Sequence, residues 1–170
     1  GVERFDRQGN ERRHVHTFGN LIHSNFRVPS CDYEMLLRVT RILTKHQSDA
    51  LCAFRLMVFN ILAHNRDDHV KNFAFILSAE GDWRFAPAYD LTFTAGPGGE
   101  HTMTVAGEGR RPTLAHVLSL AEGAGIEIAQ ARTIVDEVTA AVADWSRFAD
   151  AAGIAAREAR RIEHAFAVLH

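Results

Sequence analysis

His64-Asn65-Arg66-Asp67-Asp68-His69-Val70-Lys71-Asn72 is a dense polar run placed directly after an apolar, helix-period segment, and its reading decides the fold. Behind it, Phe73-Ala74-Phe75-Ile76-Leu77, the turn residues Ala79-Glu80-Gly81-Asp82 and Trp83-Arg84-Phe85 predict a short hairpin. Pro87-Ala88-Tyr89-Asp90 ends it. A hairpin returns the end of its second strand beside the start of its first, so Asp90 is expected close to Asn72. An amide oxygen and a carboxylate at one point suit Mg²⁺, a hard cation that takes oxygen ligands and keeps open positions for phosphates. Asp67, just before that point, is placed to orient a nucleophile or to accept its proton. The same residues also read as a solvated helix-to-strand connection built on an Asx-type turn.

Upstream, Tyr33, Leu36, Leu37, Thr40 and Leu43 recur at helical spacing, with Met35, Val39 and Ile42 widening the apolar stripe. Ser48 reads as the N-cap of a second helix carrying Leu51, Phe54, Val58, Ile61 and Leu62. Met57 and Phe59 fall off that stripe, which predicts a helix buried on most sides at the centre of the core. Residues 1–7 alternate and then break at Gln8-Gly9-Asn10, as a strand end does before a turn. Residues 11–30 read as polar and irregular. Downstream, Gly-rich stretches at 96–99 and 107–109 read as turns, and 102–105 as a short strand. Thr113 is expected to cap a helix ending near 123–125. Ile134, Val135, Val138, Val142 and Trp145 mark a long amphipathic helix; Ile154, Ile162, Phe166 and Leu169 mark a last one. The prediction is a single, mainly α domain over 1–170 with a small β-hairpin carrying the metal-site residues.

The totals bound the function. A chain of 170 residues with 46% apolar and 24% charged side chains has globular composition and can bury a core unaided. A net charge of −2 gives no electrostatic footprint for direct nucleic-acid binding or an acidic membrane surface. Charges interrupt every apolar run well before membrane-spanning length. Cys31 and Cys52 fit reduced, cytoplasmic thiols better than a disulfide scaffold. Ten histidines raise the question of zinc, but His14-Val15-His16 with His23 lacks a spaced second pair or a cysteine. His101, His116, His164 and His170 are expected at the surface. So are the basic clusters Arg110-Arg111 and Arg157 with Arg160-Arg161.

The order Asp-x4-Asn, hairpin, Asp is also the order in protein kinases, where the loop supplies a base and a metal ligand and the second Asp holds the metal. More specifically, Asn65 to Phe75 followed by Phe85-Ala86-Pro87-Ala88-Tyr89-Asp90-Leu91 resembles the core motif pair of the HipA-like serine/threonine kinases, toxins of bacterial toxin–antitoxin modules. Val2 to Arg7 resembles that family's interlobe hinge strand, and the segments from Met103 onward resemble its helical C-terminal lobe. The resemblance implies Asp67 as the catalytic Asp, His69 beside the transferred phosphate, and Asn72 and Asp90 as Mg²⁺ ligands. It implies backbone contacts from Glu3 and Phe5 to the adenine of ATP, with Asp6 reaching the ribose. A protein substrate and a helix-turn-helix antitoxin would be the partners.

Two departures qualify that reading. Ordinary protein kinases place a lysine two residues after the catalytic Asp, where this chain has His69. A phosphate-covering Gly-rich loop and a strand lysine belong before the hinge. Only Lys45, in a predicted helix, and Lys71, in the loop, are lysines here. The expectation is therefore a C-terminal lobe whose ATP-clamping N-lobe is absent from the chain and is supplied in cis or in trans. Two other functions stand beside it. The chain would be a binding module for an antitoxin or an N-lobe, prone to self-association, or a metal-dependent phosphohydrolase using Asp67, Asp68, His69 and Asp90.

Overall fold

The computed structural model describes residues 4–23 and 31–169, so Val2, Glu3 and His170 lie outside the described residues. The chain opens with a tight hairpin, β1 (Arg7–Gln8) against β2 (Glu11–Arg12), turning at Gly9 with φ of 59°. Of the strand expected over 1–7, residues 4–7 are described: Phe5 and Asp6 lie in a turn and Arg7 is in β1. The stretch from 11 to 23, expected to be irregular, holds β2, β3 (His14–Thr17) and the short helix α1 (Phe18–Leu21).

β3 pairs antiparallel with β5 (Ala74–Leu77), which pairs with β6 (Trp83–Phe85), so the predicted hairpin gains a third strand. β3 escapes the period-2 test because its histidines are not cleanly polar-out: His14 is exposed while Val15 and His16 are both half-buried. Gly19 in α1 packs so tightly on Val70 that a Cβ would reach its Cγ2 at 2.8 Å, which seats the segment after the polar loop.

β4 (Cys31–Asp32) runs parallel to β7 (Met103–Thr104) and leads into α2 (Tyr33–Thr44). The Asp32 carboxylate caps α2 by accepting from the Glu34 N–H at 2.8 Å. The predicted stripe is buried at Tyr33, Leu36, Leu37 and Thr40, whereas Met35 and Ile42 are exposed, so the apolar face is narrower than expected. Buried Thr40 and Thr44 turn their hydroxyls back onto Leu36 and Thr40 carbonyls, which lets polar side chains sit on the core face.

Lys45 ends α2 in the left-handed region, and the chain re-enters helix at once as α3 (Gln47–Leu62). His46 therefore takes the cap position, and Ser48 falls inside the first turn. α3 is buried on most sides and packs on α2 and on α5 (Ile128–Ala143). α4 (Leu114–Gly123) starts at Thr113, whose N–H bonds His116 Nδ1 at 3.1 Å. α6 (Trp145–Ala151) and α7 (Ala156–Glu163) close the described chain. Trp145 begins α6 rather than ending α5, and its indole donates to the Ala159 carbonyl at 2.9 Å, joining α6 to α7. Phe166 and Leu169 lie beyond α7, in a segment pinned where the Ala167 N–H bonds the Leu62 carbonyl. With seven helices and three small sheets among the described residues, the fold is mainly α.

The sheet is fastened to α3 by charge. Asp49, in the first turn of α3 and 4% exposed, accepts two bonds of 2.9 Å from the Arg84 guanidinium and one of 3.2 Å from the Phe85 N–H. Burial alone would push the Asp49 carboxyl up, but Arg84, the Phe85 N–H and His46 outweigh it and leave it below its ordinary range. A lowered folded-state pKa means stability that is present above the unfolded value, about 3.9, and lost as pH falls through the folded one. Asp49→Ala is expected to cost about 2 kcal/mol at neutral pH. In urea titrations the gap to the parent chain should close as the pH drops below the usual carboxylate range; a constant gap would show that the ion pair is not the cause.

Candidate functional site

The polar loop begins where α3 stops. His64 adopts φ of 57°, its N–H bonds the Ile61 carbonyl at 3.4 Å and the Asn65 N–H bonds the Asn60 carbonyl at 2.9 Å. That is a Schellman-type stop with histidine in the place glycine usually takes. Asn65 then sends its Nδ2 to Asn60 Oδ1 at 2.9 Å, and Asn60 sends its own Nδ2 to the Tyr33 hydroxyl at 2.9 Å. Tyr33 donates to Asp68 Oδ2 at 2.7 Å.

Asp68 is 1% exposed and is the acceptor on which that chain of bonds ends. Besides Tyr33 it accepts from His101 Nδ1 at 2.8 Å, the Thr102 N–H at 2.8 Å and, more weakly, the Met103 N–H at 3.5 Å. His101, expected at the surface, is 5% exposed, because a buried carboxylate requires a donor there. Asp68 is thereby spent on structure, which removes it from the carboxylate set the phosphohydrolase reading requires. The signal that would have flagged His101 is its neighbourhood: it directly precedes the apolar alternation of Met103 and Val105.

Arg66 ties the loop to the following segment, donating to the Gly99 and Arg110 carbonyls. Gly96, at φ of 73°, has no room for a side chain, since a Cβ would collide with the Glu100 carbonyl and Arg66 Cβ. Its turn therefore holds the 96–100 segment flat against the loop.

The residues singled out for chemistry lie on the other side. Asp67 is exposed, and its carboxylate makes no hydrogen bond among the described residues. Asn72 donates its Nδ2 to the Asp67 carbonyl at 2.9 Å, which commits its nitrogen and leaves Oδ1 as a hard acceptor. His69 Nδ1 accepts the Lys71 N–H at 3.3 Å, capping the 3₁₀ turn Val70–Asn72. A ring nitrogen that accepts carries no proton, so neutral His69 is the Nε2–H tautomer. Tyr89 donates to the Lys71 carbonyl at 2.5 Å and so joins the end of the hairpin to the loop. Burial, reinforced by the charge of Asp90, pushes the Tyr89 hydroxyl up to about 12, which keeps it a donor at any physiological pH. Asp90 follows it, exposed and at φ of 54°, a left-handed conformation that aspartate adopts more readily than most non-glycine residues.

From the N-terminal segment, Phe5 packs its ring on Tyr89 with centroids 5.6 Å apart, bringing the expected hinge against the residue before Asp90. Asp6 is bound by Arg4, which lowers its pKa, and the Asp6 carbonyl accepts the Arg13 N–H at 2.9 Å. Glu3 lies outside the described residues. For a divalent cation the donors fit in kind: the amide oxygen left by Asn72's bonded nitrogen, and the exposed carboxylate of Asp90, whose neighbour Tyr89 bonds the Lys71 carbonyl. Among the described residues no three His, Cys, Asp or Glu side chains gather at one point.

The model of the HipA-like C-terminal domain matches residues 1–146. No curated protein matches the chain. A solved structure from Shewanella oneidensis MR-1, described as the toxin–antitoxin system HipA, HipB and its operator DNA complex, is similar in fold, with a TM-score of 0.71 at 17% identity. The alignment covers 96% of this chain and 45% of that one, so this chain spans less than half the length of that relative.

Tyr33 bridges Asn60 and Asp68 inside the core, and burial, with the nearby Asp68 charge, raises its hydroxyl well above the ordinary tyrosine value. The unfolded chain therefore loses this proton first, and stability should fall as pH rises above about 10. Tyr33→Phe should lower stability by about 1–3 kcal/mol at neutral pH, because two buried groups lose a partner. Denaturant titrations from pH 7 to 11 should also show a shallower alkaline decline in the variant; parallel curves would refute the bridging role.

Proposed function

The chain belongs to the family of HipA-like C-terminal domains, and on that premise we propose that it is the catalytic lobe of a serine/threonine protein kinase using ATP and Mg²⁺. The observation that carries the reading is the bond from Asn72 Nδ2 to the Asp67 carbonyl. It makes one proposed functional residue orient another across the turn, with the Asn72 amide oxygen and the Asp67 carboxylate making no hydrogen bond among the described residues.

In this reading Asp67 accepts a hydrogen bond from the substrate hydroxyl, turns its oxygen toward the γ-phosphorus and takes its proton as the new P–O bond forms and ADP leaves. His69, held through Nδ1, presents Nε2–H to a phosphate oxygen. Asn72 Oδ1 and Asp90 would hold Mg²⁺, which when bound neutralises charge on the phosphates. Glu3 and Phe5 would contact adenine through their backbones. Asp6 would meet the ribose only by giving up Arg4, since the two are paired. The Gly-rich loop and strand lysine that clamp ATP would come from a second lobe, in cis or in trans, and the lone chain would be weak or inactive.

The similar structure's description names HipB and operator DNA. It supports a second role for this chain, as a surface for a helix-turn-helix antitoxin; the expectation of no direct DNA contact rests on the net charge of −2. The site of action would be cytoplasmic; among the described residues no helix is long and apolar enough to cross a membrane. Hydrolysis of phosphate esters by the lone chain is the weakest reading, because Asp68 is consumed by Tyr33, His101 and Thr102.

Joined to or mixed with an ATP-clamping lobe, the chain should transfer phosphate to a protein hydroxyl, and Asp67→Ala should lower turnover about 10²–10⁴-fold. Undiminished turnover in that variant would sink the assignment.

A further inference from the structure

Asp67 and Asp68 are neighbours with the same side chain, and the structure gives them opposite fates. Asp68 is turned inward, to 1% exposure, while Asp67 beside it is exposed. What holds Asp68 inward is the segment 101–103, which supplies the His101 ring and the Thr102 and Met103 N–H groups. The same segment grips the residue on the other flank: the Arg66 carbonyl accepts both the Thr102 N–H at 3.3 Å and its hydroxyl at 3.1 Å. Asp67 is thus fixed from its two neighbours, and from Asn72 through its own carbonyl, while its carboxylate is left untouched.

Building on the kinase reading above, we propose that Asp68, gripped by His101 and Thr102, is the positioning residue that sets the direction of the Asp67 carboxylate. It touches neither nucleotide nor hydroxyl. Its effect belongs on the chemical step, because a displacement of about 1 Å in a reacting group can cost roughly 10²-fold in rate while ground-state binding is little changed.

The test uses this chain joined to an ATP-clamping lobe. Each variant is confirmed folded by circular dichroism and assayed well below its own Tm. Asp68→Ala should lower kcat by about 10–100-fold with KM for ATP within about twofold of the parent. Asp68→Asn should recover most of the loss: its oxygen can still accept the Thr102 and Met103 N–H groups, while the His101 ring and the Tyr33 hydroxyl can turn to accept from its amide. A purely structural role would leave kcat per folded molecule unchanged. Parent-like kcat in folded Asp68→Ala therefore overturns the proposal, as does Asn behaving like Ala.

Should Asp68→Ala fail to fold, His101 carries the same test with a milder change. His101→Asn, which keeps a donor near the Nδ1 position, should be active, and His101→Leu should lose kcat alone; equal kcat in the two overturns the proposal. Asp67→Ala run alongside separates the failures. If it keeps turnover, the kinase reading itself falls and takes this one with it. If it abolishes turnover while Asp68→Ala does not, only the positioning role is lost.

Discussion

A carboxylate buried as completely as Asp68 costs several kcal/mol unless donors meet its lone pairs. Its donors come from the start of α2, through the Tyr33 hydroxyl, and from the 101–103 segment, through an imidazole and backbone N–H groups. None of these is near residue 68 in sequence. Satisfying one side chain therefore obliges two distant segments to meet the loop at a single point. The Asn65–Asn60–Tyr33 chain of bonds extends that obligation to the end of α3. The loop is polar and irregular, yet it is among the most tightly determined parts of the molecule.

Asp68 is one of three carboxylates used this way. Asp32 caps α2 and also accepts from the Thr104 hydroxyl at 2.6 Å and the Gly107 N–H at 2.8 Å. Asp49 fastens the first turn of α3 to β6. The reason lies in the strands, which run to two to four residues each and are too short to hold a sheet in place alone. Side-chain cross-links replace the ladder hydrogen bonds that longer strands would supply. Two of the three, Asp32 and Asp68, act on the same stretch, 101–107, and so clamp it between α2 and the loop.

The parts of this arrangement legible in the sequence are those governed by local periodicity. The α2 stripe, the buried α3, the β5–β6 hairpin and the Thr113 start of α4 follow from spacing and turn residues alone. β3 did not, because a strand that pairs on one edge while keeping histidines half-exposed shows no alternation. His101 did not either: its place before Met103 and Val105 hints at burial, but the partner that requires it there lies thirty-three residues earlier. The order of the loop, hairpin and Asp90 was visible, and so was a hairpin bringing its ends together; the agent that joins them, the Tyr89 bond to the Lys71 carbonyl, was not.

The pair Asp67-Asp68 marks the limit of what residue type can say, since either could be catalytic on chemistry alone. Burial separates them, Asp68 being enclosed and Asp67 exposed, and on the proposed reading that leaves the catalytic role to Asp67. Asn72 and His69 each have two polar atoms, and each uses one to brace the loop: Nδ2 on the Asp67 carbonyl, Nδ1 on the Lys71 N–H. The other atom of each makes no hydrogen bond among the described residues. An ionised carboxylate has acceptors only, and neither oxygen of Asp67 is hydrogen-bonded among the described residues. On the proposed reading its direction would be set through the backbone, by Asn72 on its own carbonyl and by Arg66 and Asp68 on either side.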